Sequence, residues 1–339
     1  MMKLFKMTPE SGRPEADRGP LAWPMKRCGI DEALKWGHGF DMSASTVRIA
    51  AIQATPVILD AEATVSKALH LLAKAAGDGV KLAVFPETFI PLYPSGVWAH
   101  AAARFGGFDE MWERLWANSV DVPGPHIDRF IEACAEHGIY CVLGVNERES
   151  ARPGSLYNTM VLLGPEGLLW KHRKLMPTMH ERLFHGVGYG QDLNVIETPF
   201  GKIGGLICWE NRMPLARYEM YRQGVQIWAA PTADDSEGWT STMSHIAVES
   251  GAFVVSAPQY IPRSAFPDDF PAQLPEDGKA LGRGGAAIFE PVQGRAIAGP
   301  LYDQEGIVAA DIDLGRCMTA KRLFDVVGHY SREDVLRPR

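Results

Sequence analysis

Short apolar runs alternate along the chain with stretches whose apolar residues recur every three or four positions, a pattern that predicts strands and helices in turn. Val47 to Gln53 is the first such run and reads as a strand. Ala63 to Ala75 follows at helical spacing, with Val65, Ala68, Leu69, Leu71, Leu72 and Ala75 forming its apolar face. Leu82 to Phe85 is a second strand, closed by Pro86. Helices are expected near Phe108 to Ala117 and Ile127 to His137, and Ile139 to Val145 is a strand that delivers Asn146, Glu147 and Arg148. Tyr157 to Leu163 and Leu168 to Trp170 pair as a hairpin around Gly164-Pro-Glu-Gly167. The run Gly201 to Cys208 reads as a buried strand that exits sharply into a helix from Leu215 to Arg222. Strands at Val225 to Ala229 and Phe253 to Ser256 flank a helix at Trp239 to Glu249, and Ala286 to Glu290, Ala296 to Gly299 and Gly306 to Ile312 close the series. Alternation on this scale implies an α/β fold, its sheets covered by helices.

The first 41 residues break the pattern. They are polar, punctuated by Pro and Gly, and lack both periodicity and the apolar core of a signal peptide. Residues 1–41 are therefore expected to be a flexible N-terminal extension, with Met42 as the natural start, and residues 42–339 to be one domain. A length of 339 residues would by itself suggest two domains, but no Pro/Gly/Ser-rich linker divides the chain.

Candidate chemistry concentrates where strands end. Cys208 sits at a strand-to-helix elbow, at the open end of a sheet where ligands of α/β folds bind. Taken alone it could equally be a small buried apolar residue. Glu87 follows the strand Leu82 to Phe85 and is crowded by Phe85, Phe89, Pro86, Pro91 and Pro94. Apolar walls raise a carboxyl pKa and suit it to proton transfer near neutrality, although a lone carboxylate in a loop is more often simply solvated. Lys171-His-Arg-Lys174 reads either as a solvated charged turn or nucleic-acid contact, or as a strand with one base turned inward. In a strand, Lys171 and Arg173 share a face and Lys174 takes the opposite one.

Phe85-Pro-Glu87, Arg173-Lys174-Leu-Met-Pro-Thr178 and Cys208-Trp-Glu-Asn-Arg-Met-Pro-Leu-Ala-Arg217 together resemble the Glu, Lys and Cys motifs of the nitrilase superfamily. The Cys-Trp-Glu form is similar to the true nitrilase branch, and the likeness runs from about Val47 to Pro338 through Pro231-Thr-Ala-Asp234, Arg283-Gly-Gly285 and Gly328-His-Tyr-Ser-Arg332. The resemblance implies a four-layer α-β-β-α sandwich whose protomers stack into a homodimer or larger homo-oligomer. It implies hydrolysis of a nitrile to the carboxylic acid and ammonia, with Cys208 as nucleophile, Glu87 as general base and Lys174 stabilising a covalent thioimidate. Release of the amide instead, or amidase activity, is the alternative within the same superfamily, and a catalytically silent scaffold is the alternative outside enzymology. Glu147 matches the superfamily's second glutamate and is expected beside Lys174; its other reading is a surface ion pair with Arg148.

Trp209, Tyr93, His185 and Trp98 are the expected substrate-binding residues, from the loop Tyr93 to Gly107 and the segment Met179 to Gln191. His185-Gly-Val-Gly-Tyr-Gly190-Gln departs from the family's usual Trp-Gly-x-Gly-Asp-Gly-Ser, which bears on substrate range. Trp98, Phe105, Trp209 and Tyr260 lean towards an aromatic or arylaliphatic nitrile.

Composition narrows the partners. A net charge of -7 argues against nucleic acid or an anionic membrane, and no 18-residue apolar stretch predicts a transmembrane helix. Five cysteines without CxxC spacing fit a reducing, cytoplasmic setting rather than a disulfide scaffold. Ten scattered histidines form no ligand pattern, so neither metal nor cofactor is expected.

Overall fold

Alternation along the first strand, β1 (Thr46–Gln53), divides the molecule into two cores. Val47, Ile49 and Ala51 point into one buried cluster, while Ala50 and Ile52 point into another. A side-chain period of two fixes this assignment, because a slip of one residue would exchange the faces. The computed structural model describes residues 46–275, 280–332 and 334–336, all within one compact unit. Residues 1–41 lie outside the described residues.

After β1 come α1 (Ala61–Gly77), β2 (Leu82–Val84), α2 (Gly96–Phe105), α3 (Phe108–Ala117) and α4 (Pro125–His137). The chain continues through β3 (Tyr140–Arg148), β4 (Leu156–Gly164), β5 (Gly167–Arg173), β6 (Ile196–Thr198), β7 (Gly201–Gly205), α5 (Pro214–Arg222) and β8 (Ile227–Thr232). It ends with α6 (Glu237–Ser250), β9 (Phe253–Pro258), β10 (Tyr260–Ile261), β11 (Gly282–Phe289), β12 (Ala296–Tyr302), β13 (Gly306–Asp313) and α7 (Gly315–Leu323). One sheet has the order β13-β1-β2-β3-β4-β5; the other runs β10-β11-β9-β8-β7-β6, with β12 paired to β11.

The cluster that holds Ile49, Val84, Val142 and Leu162 from the first sheet also holds Ile203, Ile227, Ala229 and Val254 from the second, so the two sheets face each other. Ala216 and Met220 of α5 and Met243, Ile246 and Ala247 of α6 join it from the far side of the second sheet. The other cluster joins Ala50, Ala83, Cys141 and Val161 to Val65, Ala68 and Leu72 of α1 and Ile127 and Phe130 of α4. Helix, sheet, sheet, helix is therefore the layer order, as the family resemblance implied.

Two local expectations need correction. The segment Tyr93 to Gly107, expected as a loop, contains α2, whose N-terminus is capped by the Ser95 hydroxyl accepting from the Val97 N–H at 3.2 Å. Trp98, Ala99 and Ala102 are its buried face, an apolar spacing obscured by flanking Pro and Gly. The strand before Cys208 ends at Gly205, and a 3-10 turn from Cys208 to Arg212 precedes α5. Side chains enforce that turn: Glu210 Oε2 accepts from the Ile207 N–H at 2.8 Å, and Asn211 Nδ2 donates to the carbonyls of Leu206 (2.7 Å) and Cys208 (2.8 Å). Such side-chain bonds offer the backbone an alternative to the sheet ladder.

Candidate active site

Segments that follow β2, β5 and β7 contribute polar side chains to the buried site. Glu87 follows β2, and its segment lies directly on Gly144 of β3. A Cβ at Gly144 would meet the Pro86 carbonyl, the Thr88 nitrogen and Glu87 Cα, so only glycine admits the close approach. Gln259 fixes the Glu87 backbone by donating from Nε2 to its carbonyl at 2.6 Å. Lys174 follows β5, tied by its N–H to the Asn158 carbonyl at 2.8 Å. Cys208 opens the 3-10 turn after β7 with φ of 49°, a left-handed conformation that costs a non-glycine residue about 1 kcal/mol. The turn's side-chain bonds hold that strain in place.

Within the cluster, Lys174 Nζ lies 2.7 Å from Glu87 Oε1 and 2.7 Å from Glu181 Oε2. The second Glu87 oxygen accepts from the Ala233 N–H at 2.9 Å. Asn158 Nδ2 bridges the two carboxylates, 2.7 Å from an oxygen of each. Thr232 Oγ1 donates to Cys208 Sγ at 3.2 Å. Glu87, Lys174 and Cys208 are all buried, at 0%, 1% and 3% exposure, which keeps their mutual electrostatics strong.

Burial raises the Glu87 carboxyl above the ordinary value; Lys174 opposes the shift and the Glu181 charge adds to it. Burial works against the Lys174 charge, but Glu87 and Glu181 outweigh it and hold the ammonium well above the usual lysine range. Burial and then the Glu87 charge push the Cys208 thiol upward, against the pull of Lys174 and the Thr232 hydrogen bond. Burial and the Glu87 charge thus both favour the thiol form of Cys208 over the thiolate.

Sequence reasoning placed Glu147 at Lys174, and the structure does not bring them together. Glu147 instead binds Arg173 (2.6 Å), Lys171 (3.0 Å) and the Thr159 hydroxyl (2.7 Å). Strand parity is the reason. Glu147 pairs with Tyr157 and Thr159 pairs with Arg173, so Glu147, Lys171 and Arg173 share the helix-facing side of the first sheet. Lys174 continues the other face with His172, and the second carboxylate beside it, with Glu87, is Glu181. Nor does Glu147 pair with Arg148, which binds Asp121 at 2.9 Å.

Glu181, Asn158, Asn146 and Thr232 were missed. One signal was available in the sequence: Thr178-Met-His-Glu181 has the spacing of a capping box, and Glu181 Oε2 does accept from the Thr178 N–H at 2.8 Å. Asn146 and Asn158 pair directly across the β3–β4 ladder, on the face opposite Glu147. Glu210 clamps the lysine strand to the cysteine turn, accepting from the Leu175 N–H (2.6 Å) and facing His172 Nε2 (3.0 Å).

The expected pocket residues divide. Tyr93 is half-buried, its hydroxyl 3.4 Å from Glu181. Trp209 is 39% exposed, held by Asp234 at 2.8 Å with Arg212 over its ring. Trp98 belongs to a satellite core against Phe184 and Phe270, and His185 is buried against Glu181 and Asn146. Phe105 is 64% exposed at the end of α2.

Residues 48–322 match the family model for carbon-nitrogen hydrolases. The chain belongs to the carbon-nitrogen hydrolase family. Within that family it is 44% identical to an aliphatic nitrilase of Sinorhizobium fredii, over 86% of this chain and 94% of the relative. It is 43% identical to nitrilase 1 of Arabidopsis thaliana, with 86% of each chain covered. A bifunctional nitrilase/nitrile hydratase of Lupinus angustifolius is 43% identical over 87% of this chain and 86% of its own length. These relatives place the chain in the nitrilase branch of its superfamily. The Saccharomyces cerevisiae protein Nit3, a nitrilase-superfamily member, shares the fold with a TM-score of 0.68 at 19% identity, over 86% of this chain and all of that one.

Proposed function

We propose that this carbon-nitrogen hydrolase is a nitrilase, converting an organic nitrile to the carboxylic acid and ammonia. The observation that carries the reading is the buried Glu87–Lys174 pair beside a strained cysteine turn, in a chain with nitrilase relatives above 40% identity. Cys208 attacks the nitrile carbon as Glu87 takes the thiol proton, which avoids the cost of a free buried thiolate. The nitrogen of the resulting thioimidate gains its proton and charge stabilisation from Lys174, a donor pre-aimed by Glu87 and Glu181. Water addition, ammonia loss and a second water attack on the thioester complete the cycle, with Glu87 returning and removing protons. Tyr93 and Trp209 border the substrate.

Breakdown of the tetrahedral intermediate decides between acid and amide, and relatives named bifunctional nitrilase/nitrile hydratase favour following both products. The test is a nitrile panel assayed for acid, amide and ammonia with wild type and Cys208→Ala. Acid with equimolar ammonia, lost in the variant, is expected; turnover of amides but of no nitrile overturns the reading.

Two copies are proposed to pair through α5 and the C-terminal segment. Leu215, Tyr330 and Leu336 are 72%, 60% and 74% exposed around a cleft of about 580 Å³. Among the described residues, no helix is long and apolar enough to cross a membrane. Free Cys134, Cys141, Cys208 and Cys317 support a reducing, cytoplasmic site of action.

A further inference from the structure

His185 stands where the sequence departs from its family, and its hydrogen bonds determine how many protons it carries. Its side chain is completely buried, with Nε2 2.6 Å from Asn146 Oδ1 and Nδ1 3.1 Å from Glu181 Oε1. The Asn146 amide has only one possible orientation. Its Nδ2 faces the carbonyl oxygens of Ile90 (3.1 Å) and Leu92 (2.8 Å), which can only accept. The atom turned to His185 is therefore an acceptor, and Nε2 must hold a hydrogen.

Glu181 imposes the same demand on the other ring nitrogen. Its carboxylate accepts from Asn158 Nδ2 (2.7 Å), Lys174 Nζ (2.7 Å) and the Thr178 N–H (2.8 Å). Burial opposes its charge, but the Lys174 ammonium is the largest of the influences that hold the carboxyl below the ordinary range. A neutral ring already protonated at Nε2 would turn the Nδ1 lone pair onto an anionic oxygen. Only a second ring proton makes that contact attractive.

We infer that His185 is an imidazolium in the resting protein and acts through Glu181 as the second cation of the buried site. The ring nitrogens meet one charged group, Glu181 of its own turn, and one neutral group, Asn146 of β3; Lys174 and Tyr93 bond to Glu181 rather than to the ring. Glu87 and Glu181 carry two negative charges against the single ammonium of Lys174. The imidazolium brings the group to neutrality, so Glu87 stays ionised without Lys174 having to satisfy both carboxylates. His185 is thus a positioning residue for charge, and the inference rests on the reading of Glu87 as general base.

The test uses the full chain carrying ¹⁵N-labelled histidine. The His185 ring signals, assigned by their loss in His185→Gln, are expected to show both nitrogens protonated at neutral pH; one unprotonated nitrogen overturns the inference. Kinetics supplies an independent readout. In His185→Gln the acid limb of kcat/KM should move up by about one pH unit, with kcat near pH 7 falling about tenfold and KM changing by less than about twofold. His185→Trp, which restores the family's usual residue and has one N–H but no charge, serves both purposes if the glutamine variant does not fold. A fall in rate with an unmoved acid limb overturns the inference. Absence of nitrile hydrolysis in the wild type would remove the base assignment alone, whereas a neutral ring in a hydrolysing enzyme would remove the His185 inference alone.

Discussion

Two glutamates that look alike in the sequence have opposite duties in the fold. Glu147 is a structural anion under Lys171, Arg173 and Thr159, while Glu181 faces Lys174 inside the site. Glu147→Gln should lower stability by about 3 kcal/mol in denaturant titrations, because it strands partly buried cations, yet leave the turnover of folded protein within a few-fold. Glu181→Gln should instead cost at least about a hundredfold in kcat, since Lys174 loses one of its two anchors. Burial opposes the Glu147 charge, but its Arg173 and Thr159 bonds win and depress its carboxyl. Its stabilisation is accordingly present above the unfolded value and fades as pH falls through the lower folded one. Glu87 has the reverse sign. In its proposed role as general base the raised carboxyl must be ionised, so kcat/KM should decline on acidification with a midpoint above the ordinary 4.5. The parity rule that turned Lys174 away from Lys171 and Arg173 was legible in the sequence. Extending it across the β3–β4 ladder would have excluded Glu147 and selected Asn146 and Asn158, but that step needs the strand register, which periodicity alone does not supply.

At the level of elements, the site depends on how strand ends are cut. β2 is only three residues long, and Glu87 reaches its partners because Gly144 lets the following segment lie against β3. Gly144→Ala should push that segment outward, costing about 1 to 3 kcal/mol of stability and more than tenfold in kcat, measured by thermal melts and product assay. Chain runs of Ile, Val and Leu announced the strands because burial on both faces demands them. The turn at Cys208 was less legible, because Glu210 and Asn211 redirect backbone hydrogen bonds that apolar periodicity cannot register. The helix Gly96–Phe105 was hidden for a related reason: its buried stripe is short and made mostly of alanine.

On the scale of the whole molecule, alternation of strands with amphipathic helices showed only that sheets are covered by helices; the four-layer order came from the family resemblance. How copies associate depends on surfaces rather than periodicity. Leu215→Asp on the exposed face of α5 should convert the proposed dimer to monomer in sedimentation velocity, and an unchanged mass would remove that face from the interface. Glu87 and Lys174 ride on one sheet, Cys208 and Thr232 on the other. Turnover is therefore a gauge of registry between two separately hydrogen-bonded bodies. A loosened state that kept both ladders intact but let solvent between them would look folded by ellipticity and be chemically mute.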